Sequence, residues 1–250
     1  VKNKKIKTLF LKGNYLGKFE KDYECLIDIV KYNKHLNELN FCFNQLGENV
    51  KNFEKFMEAL RKNSTIFKLY FGSNHLGKNE DNIRSLSLTL ISNENILEIY
   101  LGNNDIGTNE NDLKYLGEVL KVNKTLVKLW LNNNKIGFLS EDDVKFLSLG
   151  LKENNSLKEL YLSNNKIGFY GEENSPDFFN LFNALKYNKS LLIIDLSYNF
   201  INRNNDNYKY LIDLIEKNNT LECIKITDKI NEKIKQKLKK KDQLGIINFE

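Results

Sequence analysis

Short apolar motifs recur along this chain about every 30 residues, and this periodicity constrains its fold more than any other feature. The pattern that begins at Ile6 returns at Leu36, Ile66, Ile96, Leu126, Leu157 and Leu191, and in degenerate form at Leu221. Successive starts are separated by 30, 30, 30, 30, 31, 34 and 30 residues. A repeat of this length specifies a unit that cannot bury its apolar face alone, so neighbouring units must stack.

The first half of each repeat predicts a strand followed by a turn. In the fifth copy, the apolar residues Leu129 and Leu131 alternate with Trp130, which is the period of a strand with one buried face. Asn134 follows, where a turning backbone leaves N–H and C=O groups that a buried side-chain amide can satisfy. We therefore expect this Asn to be structural in every repeat.

The second half of each repeat predicts a helix. Val144, Leu147 and Leu151 have the spacing of one buried helical face. In the sixth copy, Ser175 precedes the only proline of the chain, Pro176, and this pair is typical of a first helical turn. Each repeat is thus predicted to be a strand, a turn and a helix.

The full pattern, L-x-x-L-x-L-x-x-N-x-I-G with a helix in each copy, resembles the leucine-rich repeats of the ribonuclease-inhibitor-like subfamily. That subfamily includes ribonuclease inhibitor, Ran GTPase-activating protein, the C-terminal domain of tropomodulin and the sensor domains of NOD-like receptors. The resemblance implies an α/β solenoid, or horseshoe, of eight repeats, with a parallel sheet on the concave face and helices on the convex face. We expect one solenoid over residues 1–250, with residues 229–250 forming a C-terminal helix and cap.

Composition limits the classes of partner and the compartment. The net charge of +5 is too small to predict nucleic-acid binding by itself, and no run of 18 apolar residues predicts a transmembrane segment. No secretory signal peptide is visible, and Cys25, Cys42 and Cys223 lie in different repeats without metal-ligand spacing. We expect an intracellular protein, cytoplasmic or nuclear, with no bound metal.

Five glycosylation sequons would instead fit a secreted protein. They share one repeat position and begin at Asn63, Asn123, Asn154, Asn188 and Asn218. Either these asparagines carry glycans, or the repeat requires Asn at the helix end and Ser or Thr before the next strand. We expect the second interpretation to hold.

The fifth position of the repeat carries aromatic residues in four consecutive copies, at Tyr70, Tyr100, Trp130 and Tyr161. In a stacked parallel sheet these positions lie on adjacent strands, so the rings form an exposed row about 15 Å long. Tyr and Trp are enriched among the residues that dominate protein–protein binding. We expect this row to anchor a partner. The alternative is that the rings stack on one another and only stiffen the sheet.

Three other positions border this row. The third position alternates in charge and predicts a ladder of cross-strand ion pairs that tunes selectivity, with Glu98, Lys128 and Glu159 near its centre. The second position is apolar and widens the binding surface at Phe67, Leu97 and Val127. At the seventh position, Gly72 and Gly102 either admit a partner side chain or are simple turn residues. We favour turn residues.

No pattern in the sequence predicts catalysis. The chain lacks a phosphate-binding glycine loop, a zinc-binding His-Glu motif and a nucleophile elbow. Asn134 and its equivalents match only the structural Asn of the resembled family, so no catalytic residue is carried over from it. We expect a protein that is not an enzyme and that needs no cofactor.

These observations favour a non-catalytic scaffold that binds a protein through the aromatic row. One alternative is a GTPase-activating protein of the Ran type, although this chain ends in lysines where the resembled proteins have an acidic segment. Another is a sensor or effector repeat domain of a larger protein. The lysine-rich residues 229–241, with an apolar stripe at Ile230, Ile234 and Leu238, predict a cap or a weak contact with an acidic surface.

Overall fold

The computed structural model describes residues 5–140, 143–170, 176–227, 232–242 and 245–249. Within these ranges short strands alternate with helices of 10 to 13 residues. The strands are β1 Thr8–Phe10, β2 Glu38–Asn40, β3 Lys68–Tyr70, β4 Glu98–Tyr100, β5 Lys128–Trp130, β6 Glu159–Tyr161, β7 Ile193–Asp195, β8 Cys223–Ile226 and β9 Ile247–Phe249. The α-helices are α1 Glu20–Tyr32, α2 Val50–Arg61, α3 Glu80–Ser92, α4 Asp112–Val122, α5 Asp143–Glu153, α6 Pro176–Tyr187, α7 Asp206–Lys217 and α8 Glu232–Lys241.

The strands pair in chain order into one parallel sheet that runs from β1 to β9. Equivalent repeat positions are directly opposite each other, as in the pairing of Tyr70 with Tyr100 and of Tyr100 with Trp130. This is the α/β solenoid arrangement of strand and helix that the sequence predicts. Helix α6 begins at Pro176, also as predicted, whereas Ser175 lies outside the described residues.

Each strand has one buried face and one open face. The middle residue of β3 to β6 is buried, as at Leu69 and Leu129, while the first and third residues are half-buried. The middle residues join helix residues such as Leu86 and Leu116 in a single apolar core. Because successive side chains of a strand point to opposite sides, the first and third residues form the other face of the sheet, called here the outer face.

The turn after each strand is held by a buried asparagine. Asn104 donates its Nδ2 to the carbonyl oxygen of Phe71 at 2.9 Å and to that of Leu101 at 3.0 Å. Its Oδ1 accepts the backbone N–H of Asn74 at 2.8 Å. The side chain therefore bonds its own turn and the preceding one. The same arrangement recurs at Asn44, Asn74, Asn134, Asn165 and Asn199, which confirms the structural role predicted for this residue.

A second row of asparagines lies at the helix ends. Asn123 donates its Nδ2 to the carbonyl oxygen of Leu90, one repeat earlier, at 2.6 Å, and accepts the N–H of Leu126 at 2.7 Å. The sequon asparagines all belong to this row, and each is at most 5% exposed with its Nδ2 bonded to the preceding helix. A glycan attached to that nitrogen would displace the bond. This supports the structural interpretation of the sequons.

The C-terminal end of the sheet contains a strand that the sequence did not predict. Ile224 of β8 pairs with Ile247 of β9, and the Asp242 carboxylate accepts the backbone N–H groups of Ile246 and Ile247, both at 2.9 Å. Helix α8 lies within the predicted C-terminal helix, and its Leu238 is buried in the core. Ile230 and the side chain of Ile234 lie outside the described residues.

Two lysines of α8 lie over an aromatic ring. The Nζ atoms of Lys235 and Lys239 are 5.1 and 5.8 Å from the centroid of the Phe249 ring.

None of the helices in the described ranges combines the length and the apolarity needed to cross a bilayer.

A buried carboxylate begins helix α4. Asp112 is fully buried, and its Oδ2 accepts the N–H of Gly107 at 2.9 Å and the Nδ2 of Asn109 at 3.2 Å. Burial disfavours the charged form more than these bonds favour it, so the pKa of Asp112 rises from 3.8 to about 6. Asn82 and Asn207 occupy the equivalent helix position in other repeats, so an uncharged amide suits this site.

We predict that Asp112→Asn removes a pH-dependent component of stability. A folded-state pKa above the unfolded value means that Asp112 stabilises the fold most at low pH, and that this contribution is lost as pH rises through about 6. In chemical unfolding, the free energy of unfolding of wild type relative to the variant should therefore be about 2.5 kcal/mol higher at pH 4 than at pH 7.5. An equal difference between the two proteins at both pH values would contradict this account.

Candidate functional site

The four aromatic residues predicted as anchors form one row on the outer face, called here the aromatic stripe. The ring centroids of Tyr70 and Tyr100 are 6.4 Å apart, and those of Tyr100 and Trp130 are 6.3 Å apart. Trp130 and Tyr161 are stacked, with centroids 5.1 Å apart and planes inclined by 2°. The strand register thus brings together all four rings that the periodicity aligns.

The rings of the aromatic stripe are half-buried, whereas the sequence predicted an exposed row. The difference arises because each ring packs against its neighbour on the next strand, as the stacking of Trp130 on Tyr161 illustrates. Part of the contact area expected for a partner is therefore used within the sheet. The rings stack on one another, as the alternative interpretation states, and they also retain solvent-facing surface; their role in anchoring a partner stays a prediction.

Gly72 and Gly102 make room for the ring of Tyr100. A Cβ atom at Gly72 would lie 2.4 Å from Cε1 of that ring, and one at Gly102 would lie 2.9 Å from its hydroxyl oxygen. Neither glycine has the positive φ that would require glycine in a turn. The favoured prediction of simple turn residues was therefore wrong. The alternative of an open space for a partner side chain also fails, because Tyr100 fills that space.

The charged residues beside the stripe form two separate ion pairs instead of a continuous ladder. Lys68 Nζ lies 3.1 Å from Glu98 Oε2, and Lys128 Nζ lies 2.8 Å from Glu159 Oε1. Among the described residues, no ion pair joins Glu98 to Lys128. The predicted cross-strand pairing is thus present, but each lysine pairs with only one carboxylate.

Hydrogen bonds connect the second ion pair to the stripe. The hydroxyl of Tyr161 donates to Glu159 Oε2 at 2.7 Å. Partial burial would raise the pKa of Glu159, but the bonds from Lys128 and Tyr161 outweigh it and lower that pKa. Partial burial and the bond to Glu159 raise the pKa of the Tyr161 hydroxyl, so this group remains a neutral donor.

The apolar residues at the second position form a row along one edge of the stripe. The backbone N–H of Leu97 donates to the carbonyl oxygen of Phe67 at 2.9 Å, and the N–H of Val127 donates to that of Leu97 at 2.8 Å. Leu97 is 39% exposed, and the other two side chains are half-buried. The structure therefore aligns these three residues on neighbouring repeats, each directly before the first residue of a strand.

Polar residues end the stripe on both sides. At the fifth position, Asn40 accepts the backbone N–H of Cys42 at 3.0 Å, and Asp195 accepts that of Ser197 at 3.0 Å. Each side chain bonds its own turn, so the row of rings stops at β3 and β6. Beyond these ends, Phe43 and Tyr198 are more than half exposed at the edge of the sheet where the strands end.

Sequence reasoning missed an aromatic cluster in the turns that follow β6 and β7. The ring centroids of Phe169 and Phe200 are 5.3 Å apart, and the guanidinium carbon of Arg203 lies 4.6 Å from each of them. Phe169 and Arg203 occupy the same position of successive repeats, but that position follows the strand, so the columns of the sheet do not include them. The available signal was Arg203 itself, because the chain has only three arginines.

The described residues contain no group of three His, Cys, Asp or Glu side chains placed to hold a metal ion. No family model matches the chain, and no curated protein matches it.

Two solved structures are similar to this chain in part. The tropomodulin C-terminal domain of Caenorhabditis elegans is 18% identical over 68% of this chain and 92% of that one, with a TM-score of 0.49. A structure of actin-binding site 2 of leiomodin-1 is 15% identical over 88% of this chain and 96% of that one, with a TM-score of 0.42. Likeness at this level says nothing of what this chain binds.

The stacking of Trp130 on Tyr161 predicts a spectroscopic signature, because Trp130 is the only tryptophan. We expect Tyr161→Ala to uncover one face of the indole, shift its fluorescence emission to longer wavelength and increase quenching by acrylamide. The lost ring pair should also lower the free energy of unfolding by about 1 kcal/mol. Tyr32→Ala, at an exposed position of α1, should leave the emission unchanged. Identical emission in wild type and Tyr161→Ala would show that the two rings do not stack in solution.

Proposed function

We propose that this protein is a non-catalytic scaffold of the ribonuclease-inhibitor-like leucine-rich repeat type that binds a protein partner inside the cell. In this proposal residues 1–250 form one horseshoe-shaped solenoid with the outer face of the sheet on its concave side. The partner binds the aromatic stripe. The observation that carries the proposal is the row of four aromatic rings that the strand register places on that face.

The stripe offers a rigid apolar surface. Each ring is held by the next one, and Tyr100 is also held above Gly72 and Gly102. Side chains that are already fixed lose little conformational entropy when a partner covers them. The half-exposed faces of the rings therefore suit a partner that presents an apolar segment, and Phe67, Leu97 and Val127 extend the surface that it would cover.

The ion pairs set the polar requirement for the partner. Each pairs a lysine with a carboxylate, so together they add no net charge beside the stripe. Their side chains remain 19% to 32% exposed, and a partner that covers them removes this remaining hydration. A matching partner must supply hydrogen-bonding groups opposite Glu98, Lys128 and Glu159. These three residues are therefore proposed to act in selectivity.

Neither alternative function gains a specific observation from the described residues. Activation of a small GTPase and a sensor or effector role in a larger protein both stay predictions from the resemblance. The same holds for weak contact between the lysine-rich helix and an acidic surface.

The proposal predicts that removing the central rings abolishes partner binding without unfolding the protein. Affinity capture from the native cell lysate should compare wild type with Tyr100→Ala/Trp130→Ala. Tyr187→Ala serves as the matched control, because Tyr187 is exposed on α6, on the helix side of the sheet. All three proteins must first unfold cooperatively and be fully folded at the temperature of the capture. For a partner identified in this way, we expect Trp130→Ala alone to weaken binding by about 2 kcal/mol or more, which is roughly 30-fold.

A protein retained by wild type and by Tyr187→Ala, but lost by the double variant, would support the aromatic stripe as the binding surface. Equal recovery of the same protein on all three baits would rule out the proposed site and place binding elsewhere on the molecule. Accelerated GTP hydrolysis by catalytic amounts of the protein would favour the GTPase-activating alternative instead.

A further inference from the structure

Arg203 is held between two aromatic rings at the edge of the sheet. Its guanidinium carbon lies 4.6 Å from the ring centroids of both Phe169 and Phe200, and its Nη1 donates to the carbonyl oxygen of Phe169. Aromatic faces stabilise a guanidinium group and restrict its movement. A guanidinium has five N–H donors, and this arrangement leaves several of them available to a ligand. Arg203 is also exposed to solvent.

The charge of Arg203 has no carboxylate partner among the described residues. The other two arginines are both paired, Arg61 with Glu58 at 3.7 Å and Arg84 with Asp81 at 3.9 Å. A second cation lies nearby, because Lys166 Nζ is 5.6 Å from the centroid of the Phe200 ring. Within the same described part of the chain, Lys166 also forms no ion pair. The cluster is thus a local excess of positive charge on an aromatic support.

A cleft of about 400 Å³ lies beside this cluster. Its lining consists of residues 198–203 together with Thr227. Tyr198 forms one wall, and its backbone N–H donates to Oγ1 of Thr227, which fixes the turn after β7 to the end of β8. Tyr198 has a φ of 55° and is 58% exposed. The lining of the cleft therefore combines two aromatic residues, Tyr198 and Phe200, with Arg203.

We propose that this cleft binds the carboxylate of an acidic side chain in a protein segment whose neighbouring residues are apolar. A guanidinium presents paired N–H groups that match the two oxygens of a carboxylate. The aromatic walls suit the apolar neighbours of that side chain, and they reduce competition from water. This site uses no residue of the aromatic stripe, so it stands or fails independently of the proposed function.

The test is a titration of the full chain with short peptides, followed by NMR. With only three arginines, the Nε–H signals are few, and that of Arg203 is identified by its absence in Arg203→Lys. The probe is an acetylated and amidated Leu-Glu-Leu tripeptide, and the matched control probe is Leu-Gln-Leu, which differs only in charge and one donor group. Arg84→Gln serves as the control variant, because Arg84 is an exposed arginine on α3.

We expect Leu-Glu-Leu to shift the Arg203 signal and the Tyr198 and Thr227 amides with a Kd on the order of 1 mM. Leu-Gln-Leu should leave these signals unchanged. Arg203→Lys keeps the charge but loses the planar pair of donors, so the amide shifts should show binding weakened about ten-fold, while Arg84→Gln should bind as wild type does.

Three results of the peptide titrations would overturn the proposal. These are equal shifts with both peptides, unchanged affinity in Arg203→Lys, and no saturable shift with Leu-Glu-Leu. Tighter binding of phenyl phosphate than of the Glu peptide would also overturn it, and would assign the cleft to a phosphate group instead.

Discussion

The side-chain amides of the buried asparagines are the interaction on which the rest of the structure depends. Each of them closes its own turn and bonds the turn of the preceding repeat, as Asn104 does with Leu101 and Phe71. The backbone of a turn cannot satisfy all its own polar groups, and leaving them unpaired in the core would be costly. A second row, which includes Asn123, makes the equivalent connection at the helix ends. Neighbouring repeats are therefore locked at two levels.

These bonds between repeats explain why residues one period apart in the sequence form a continuous surface. When every repeat is held to the next in the same geometry, residues 30 or 31 positions apart become neighbours on adjacent strands. Four aromatic residues then form the stripe. Gly72 and Gly102 leave space for the ring of Tyr100, so residues of two neighbouring repeats determine the position of that ring. Ring stacking buries part of the surface, and the same stacking makes the remaining surface rigid.

The repeat predicts those features that one copy shares with the next. The strands, their register, the role of the buried asparagines and the alignment of the stripe all follow from residues such as Asn134 and Trp130, which recur at fixed positions. Features that depend on side-chain conformation do not follow from the pattern. One example is the ion pair of Lys128, which joins it to Glu159 and not to Glu98. Another is the space that Gly72 leaves for the ring of Tyr100. The strand β9 lies in a segment without the period, so the pattern contains no information on it. The cluster around Arg203 lies in two successive repeats, but its contacts depend on the side chains of turns that follow the strands.

The most direct measurement is the free energy of unfolding of Asn104→Ala compared with that of Asn14→Ala. Both residues occupy the same repeat position, but Asn104 is fully buried and bridges two turns, whereas the Asn14 side chain is exposed and donates to the carbonyl oxygen of Lys12 at 3.2 Å. If the buried amides hold neighbouring repeats together, Asn104→Ala loses about 3 kcal/mol, because several buried groups lose their partners. Asn14→Ala should then change stability by less than about 0.5 kcal/mol. Equal losses in the two variants would contradict the account.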